Sequence, residues 1–159
     1  MKRCLCLLGL VCPVLTAAYR PDAPPAEDRD AAARDLARLQ GKWRCVEEDS
    51  QGRVTKSDGH GLIIAFEKDV EIDYDAVGGV FSKERIKLDP SKSPKAIDTT
   101  IVDCTLPYLK GRTAEGIYQL EGDVLKVAFP YAPYRERPQE FTTKKGSHFI
   151  VFTYKRVKP

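Results

Sequence analysis

From Gly41 onward, hydrophobic and polar positions alternate in short runs separated by turn residues, which is the two-residue period of strands and not the longer period of helices. Eight such runs can be read, over 42–49, 61–67, 70–77, 80–88, 95–103, 113–120, 123–129 and 147–155. Tight turns at Glu67-Lys68-Asp69, Gly78-Gly79 and Glu121-Gly122-Asp123 join several of them. Gly-Gly is a strong hairpin signal because both central positions can take positive φ. Consecutive hairpins make neighbouring antiparallel strands, so the pattern predicts an all-β protein, an eight-stranded antiparallel up-and-down barrel. Ahead of it, residues 26–40 are rich in Ala, Asp, Glu and Arg, with Leu36 and Leu39 three apart and Gly41 placed as a stop. That segment predicts a short, mostly solvated N-terminal helix covering one end of the domain.

Two longer connections break the rhythm, at 89–94 and 130–145. The second carries Pro130, Pro133 and Pro138, which exclude an interior strand and predict a long loop or flap. Aromatic residues and arginines dominate binding hot spots. Tyr131, Tyr134, Arg135, Arg137 and Phe141 in this loop are therefore candidate contacts for a ligand or partner, the alternative being a lid held by its own salt bridges.

The chain opens with Lys2 and Arg3, an apolar run from Cys4 to Leu15 interrupted by Gly9 and Pro13, and then Thr16-Ala17-Ala18. This is the order of a secretory signal, with cleavage expected after Ala18 and export to the periplasm or beyond. The run is shorter than the roughly 20 residues a membrane-spanning helix needs, so no transmembrane span is expected. Cys12 is the one candidate for lipoprotein anchoring, and Val11 stands where such sites usually carry Gly, Ala or Ser. The expected organisation is a signal peptide at 1–18, a linker and short helix at 19–38, and a barrel domain at 39–159.

Loss of Lys2 and Arg3 with the signal reduces 26 basic residues to 24, against 23 acidic. A nearly neutral chain lacks the basic stripe of a nucleic-acid binder. The remaining 141 residues (159 minus 18) suit one domain with a real core. Cys45 and Cys104 are the cysteines left after cleavage, and an even pair in an exported chain is a candidate disulfide. Such a bridge would stabilise by about 4 kcal/mol; two separate buried thiols are the alternative.

Little in the sequence suggests catalysis. His60 lies in a turn and His148 begins the last strand, neither beside a nucleophile signature nor at metal-ligand spacing. Asp69, Glu71, Asp73 and Asp75 alternate along one strand and so share a face. A straight strand spreads its side chains too far for a calcium site. The row is expected on the solvated outer face, paired with Lys83, Arg85 and Lys87. No metal and no cofactor are expected.

At Leu39-Gln40-Gly41-Lys42-Trp43 the chain begins to resemble a family of uncharacterised exported domains expanded in planctomycete bacteria, thought to be lipocalin-like. The likeness continues through KLDPSKSPKAID at 87–98, GIYQLEGDVLKVAF at 116–129, RERPQEF at 135–141 and the closing Lys155-Arg156. It covers about residues 39 to 156, and it implies a fold without an activity. Gly41-x-Trp43 is similar to the lipocalin opening motif, whose indole packs beneath the barrel against an arginine near the end of the last strand. Arg156 occupies that position, which implies a cation–π contact where the barrel closes. Two places depart from the family pattern, Glu84-Arg85 and Glu115, and both put charge near positions that face inward in such a barrel.

The leading expectation is a non-enzymatic, monomeric module that binds a small apolar molecule inside a lipocalin-like barrel. A protein-interaction or envelope-structural domain with a filled core is the alternative. An acid–base or isomerase activity inside the cavity, using Glu115 or Asp98, is a third reading.

Overall fold

The computed structural model describes residues 26–57, 59, 61–131 and 136–158. Helix α1 (Ala26–Leu39) carries Glu27 and Asp28 in its first turn and Arg38 in its last, charges that suit the helix dipole. Gly41 ends it at φ +99°, a backbone conformation that favours glycine, and the chain turns there into the first strand. Nine strands follow: β1 (Gly41–Ser50), β2 (Arg53–Lys56), β3 (Ile63–Glu67), β4 (Val70–Tyr74), β5 (Val80–Asp89), β6 (Ala96–Cys104), β7 (Thr113–Glu121), β8 (Val124–Pro130) and β9 (Phe149–Arg156).

β1 and β3 to β9 form a closed, antiparallel up-and-down barrel in which every strand pairs with its neighbour and β9 returns to β1. This is the predicted eight-stranded, lipocalin-like architecture with its short N-terminal helix. β2 was not legible. It is a four-residue flap, exposed along its length and paired only with the far half of β1. The turn between them sets both Gln51 and Gly52 at positive φ. At Gly78-Gly79 the connection is longer than a two-residue hairpin: Asp75 accepts from the Val77 and Gly79 N–H groups at 3.0 and 2.7 Å, and β4 stops at Tyr74.

The seam carries the predicted closure. Trp43 and Arg156 are register partners on β1 and β9, and the guanidinium lies 4.1 Å from the indole centroid. The fully buried indole donates to the Leu39 carbonyl at 2.7 Å. Arg156 donates to the carbonyls of Gln40 (2.6 Å) and Arg38 and to Asp123 (3.1 Å). One side chain thus ties the helix end, the β7–β8 turn and the last strand together.

The helix end of the barrel is filled. Leu36 and Leu39 of α1 pack onto a core that includes Phe66, Ile86, Ile97, Tyr118 and Leu125. Asp35, also buried, accepts from Lys95 Nζ and the Tyr118 hydroxyl, each at 2.7 Å. Burial alone would raise its pKa, but these donors and the nearby Arg38 hold the carboxyl below its ordinary value.

The candidate disulfide is not formed. Cys45 is buried on β1 and Cys104 ends β6, and both are free thiols. β6 stands four places from β1 in a ring of eight, on the opposite wall of the barrel. The thiols instead donate weakly to the carbonyls of Glu47 and Leu106, and burial pushes the Cys45 thiol up in pKa.

Candidate ligand cavity

Away from the helix, the barrel is hollow. A cavity of about 490 Å³ opens between the strands at the end carrying the 75–79 turn. Its apolar wall comes from β3, β8 and β9, with Ile64, Val127, Phe129, Phe152 and Tyr154. Phe152 and Tyr154 have ring centroids 6.0 Å apart. Gly116 on β7 makes room for Phe129, since a Cβ there would meet the ring at 2.4 Å. Leu62 and Phe81, both exposed, stand at the mouth.

The opposite wall is acidic, against the sequence expectation. Period two correctly places Glu71 and Asp73 on one face of β4, but that face is the inner one. Ile64 and Phe66 of β3 point into the core, and they are register partners of Asp73 and Glu71. Residues directly opposite across an antiparallel pair share a face. On the other side Glu71 faces Glu84 and Asp73 faces Ser82. The basic residues expected to pair with this row lie outside, where Lys83 stands opposite Ile72 and Arg85 opposite Val70. Only the Asp69–Arg85 pair forms, at 3.6 Å, while Asp75 is used in its turn.

Burial pushes Glu71 well above the usual carboxylate range, and the charges of Asp73 and Glu84 add to the shift. Asp73 is also raised by burial, partly offset by the Ser82 hydroxyl that donates to it at 2.5 Å. Glu84 follows, with burial and Asp73 raising it and Thr99 and Ser82 lowering it. The Tyr154 hydroxyl is raised by burial first, then by Glu71 and other nearby acids. No lysine, arginine or histidine is among the described residues lining the cavity.

The remaining sequence candidates lie elsewhere. Glu115 and Asp98, expected to serve acid–base chemistry inside the cavity, sit on the outer wall, both ion-paired with Arg137 at 3.2 and 2.8 Å. They cannot act on a molecule inside the barrel. Arg137 also donates to the Gly116 carbonyl at 2.6 Å. Tyr131 bonds Ser50 through its hydroxyl at 2.7 Å. Phe141 packs over Ile117, Ala128 and Val151, a second buried cluster on the outside of the sheet. Thr143 then donates twice to the buried Asp49. The described part of the loop is thus a strap along the barrel wall. Tyr134, Arg135 and His60 lie outside the described residues. His148 leads into β9, its carbonyl accepting from the Tyr131 N–H.

Among the described residues no cluster of acids, cysteines and histidines is arranged to hold a metal ion, and no helix is long and apolar enough to cross a membrane. Fold and cavity together define a lipocalin-like β-barrel with a hollow, aromatic and acidic interior. Compared with protein-family models, curated proteins and solved structures, the chain finds no match.

Proposed function

We propose that this protein is an exported, non-enzymatic binding module that holds a small, largely apolar molecule inside its barrel. The hollow half of the barrel carries this reading: its volume of about 490 Å³ falls within the roughly 300–1,000 Å³ of small-molecule sites. The walls are mostly aromatic and aliphatic, which suits burial of an apolar body at about 25 cal/mol per Å². The cavity weighs against the filled-core alternative. Export is supported by the signal-like pattern of residues 1–18, and membership of the planctomycete-expanded family by the ordered motifs from Leu39 to Arg156.

Native mass spectrometry of the protein recovered from an exporting host tests the reading. A reproducible adduct that disappears on denaturation is the expected result. A bare protein that also fails to take up Nile red, a neutral apolar dye, would remove the basis for a ligand carrier.

A further inference from the structure

Building on the reading of the cavity as an apolar-ligand site, we propose that its ligand is a monocation, a primary amine on an aromatic-sized apolar body, with the ammonium seated among Glu71, Asp73 and Glu84. Three observations converge on this chemistry. The cavity is walled on one side by inward-facing acids and on the other by rings, with no basic side chain among its described lining residues. Its shape therefore asks for a molecule with one cationic end and one apolar end.

Glu71 is the second observation. It is half-buried on the inner face of β4, it lines the cavity, and no hydrogen bond or ion pair to it is found among the described residues. By contrast the Ser82 hydroxyl donates to Asp73, and Thr99 beside Glu84 lowers its pKa. A carboxylate drawn from bulk water into the barrel beside two other acids, with no protein donor, is poorly compensated, and a ligand that supplies a donor improves on that. An ammonium brings three N–H donors and no acceptor.

Third, the rings are placed for the same end of the ligand. Phe152 and Tyr154 share the cavity with the acids, and aromatic faces attract a desolvated cation. A divalent metal fits less well, because the acids are not arranged as a metal-holding group. An anionic ligand would add to the repulsion among the three acids, and a neutral one would offer a single donor without the charge that offsets them.

Calorimetry at pH 7 on the purified protein, with three indoles of nearly equal shape, tests the proposal: tryptamine, tryptophol and indole-3-acetate. Nile red uptake is measured in parallel. Tryptamine is expected to bind at least tenfold more tightly than tryptophol, and indole-3-acetate most weakly. In the double variant Glu71→Gln, Asp73→Asn the tenfold preference should vanish while Nile red uptake persists. Tryptamine that fails to bind, or binds no more tightly than tryptophol, overturns the amine proposal. If Nile red is still taken up in that case, the apolar-ligand reading stands; if neither Nile red nor any indole binds, both fall. Should the double variant not fold, the order of the three indoles on the wild-type protein decides alone.

Discussion

Glu71 and Glu84 stand directly opposite each other on β4 and β5, both turned into the barrel. Like charges in such a pair repel, and enclosure makes the repulsion stronger. Replacement of Glu71 by Gln should therefore stabilise the fold at pH 7, by about 1 kcal/mol or more. The sign with pH follows from the raised pKa. Below the ordinary glutamate value of 4.5 the residue is neutral in both states and contributes no difference. As pH rises above that value, the unfolded chain ionises first, and the wild type loses stability until the folded group ionises too. Around Glu71 the titrating groups are Asp73 on β4, Glu84 on β5 and, on β9, Tyr154, whose own shift comes first from burial and then from Glu71, Cys45, Asp73 and Glu48. Urea unfolding of wild type and Glu71→Gln at pH 4 and pH 7 checks this: the gain should be present at pH 7 and nearly absent at pH 4.

Loss of the guanidinium at the seam removes the contact with the Trp43 indole and leaves the Gln40 and Arg38 carbonyls without their donor. We expect Arg156→Ala to cost about 2–3 kcal/mol, the sum of a cation–π contact and unsatisfied carbonyls. Arg156→Lys should recover less than half, because an ammonium lacks the planar fork that reaches both carbonyls while covering the ring. Denaturant midpoints of the three proteins test both statements.

The docking of α1 depends on Asp35. Asp35→Ala should cost about 2 kcal/mol, reduced from a fully buried pair because Lys95 is 43% exposed. Since the folded pKa lies below the ordinary 3.8, the stabilisation is present above that pH and lost as pH falls through the folded value. Amide exchange along 26–39 should accelerate in Asp35→Ala more than exchange in the barrel strands.

Arg137 fastens the strap by reaching Asp98, Glu115 and the Gly116 carbonyl together. Its replacement by Ala is expected to speed proteolytic cleavage within 136–148 several-fold, with a smaller change in the global unfolding midpoint. Equal loss of strap and barrel protection would show that the strap is integral to the fold.

Of the two thiols in the barrel, Cys104 should react with a maleimide in the folded protein, whereas Cys45 should react only after unfolding. Peptide mapping without reduction should find no Cys45–Cys104 bridge.

Much of the architecture could be read from alternation alone, since hairpin turns and runs of inward apolar residues fall where the strands do. Leu36, Leu39, Trp43 and Arg156 were also legible, because each sits at a boundary that the pattern marks. β2 left no trace, as Arg53, Val54, Thr55 and Lys56 bury nothing and so need no period. The failure at β4 is more instructive. Alternation says that Glu71 and Asp73 share a face but not which face, and the usual preference of carboxylates for water pointed outward. The choice was made instead by β3, whose Ile64 and Phe66 must be buried and whose turn through Lys68 fixes the register of β4. Glu84 gave a weaker sign of the same thing, as a departure from the resembled pattern that puts charge near an inward-facing position.

The seam joins Trp43 to Arg156 across 113 positions (156 minus 43). While the chain folds from its N-terminal end, β3 to β8 can pair in succession, but β1 and β8 keep one bare edge each until β9 is delivered. A curled sheet with two open edges is vulnerable to strand exchange with a second copy. The strap answers that hazard: Thr143 on Asp49 and Gly146 on Gln51 tether the chain just ahead of β9 to the far end of β1. Held there, the last strand meets its own seam at a high effective concentration, which favours self-completion over capture by a neighbour.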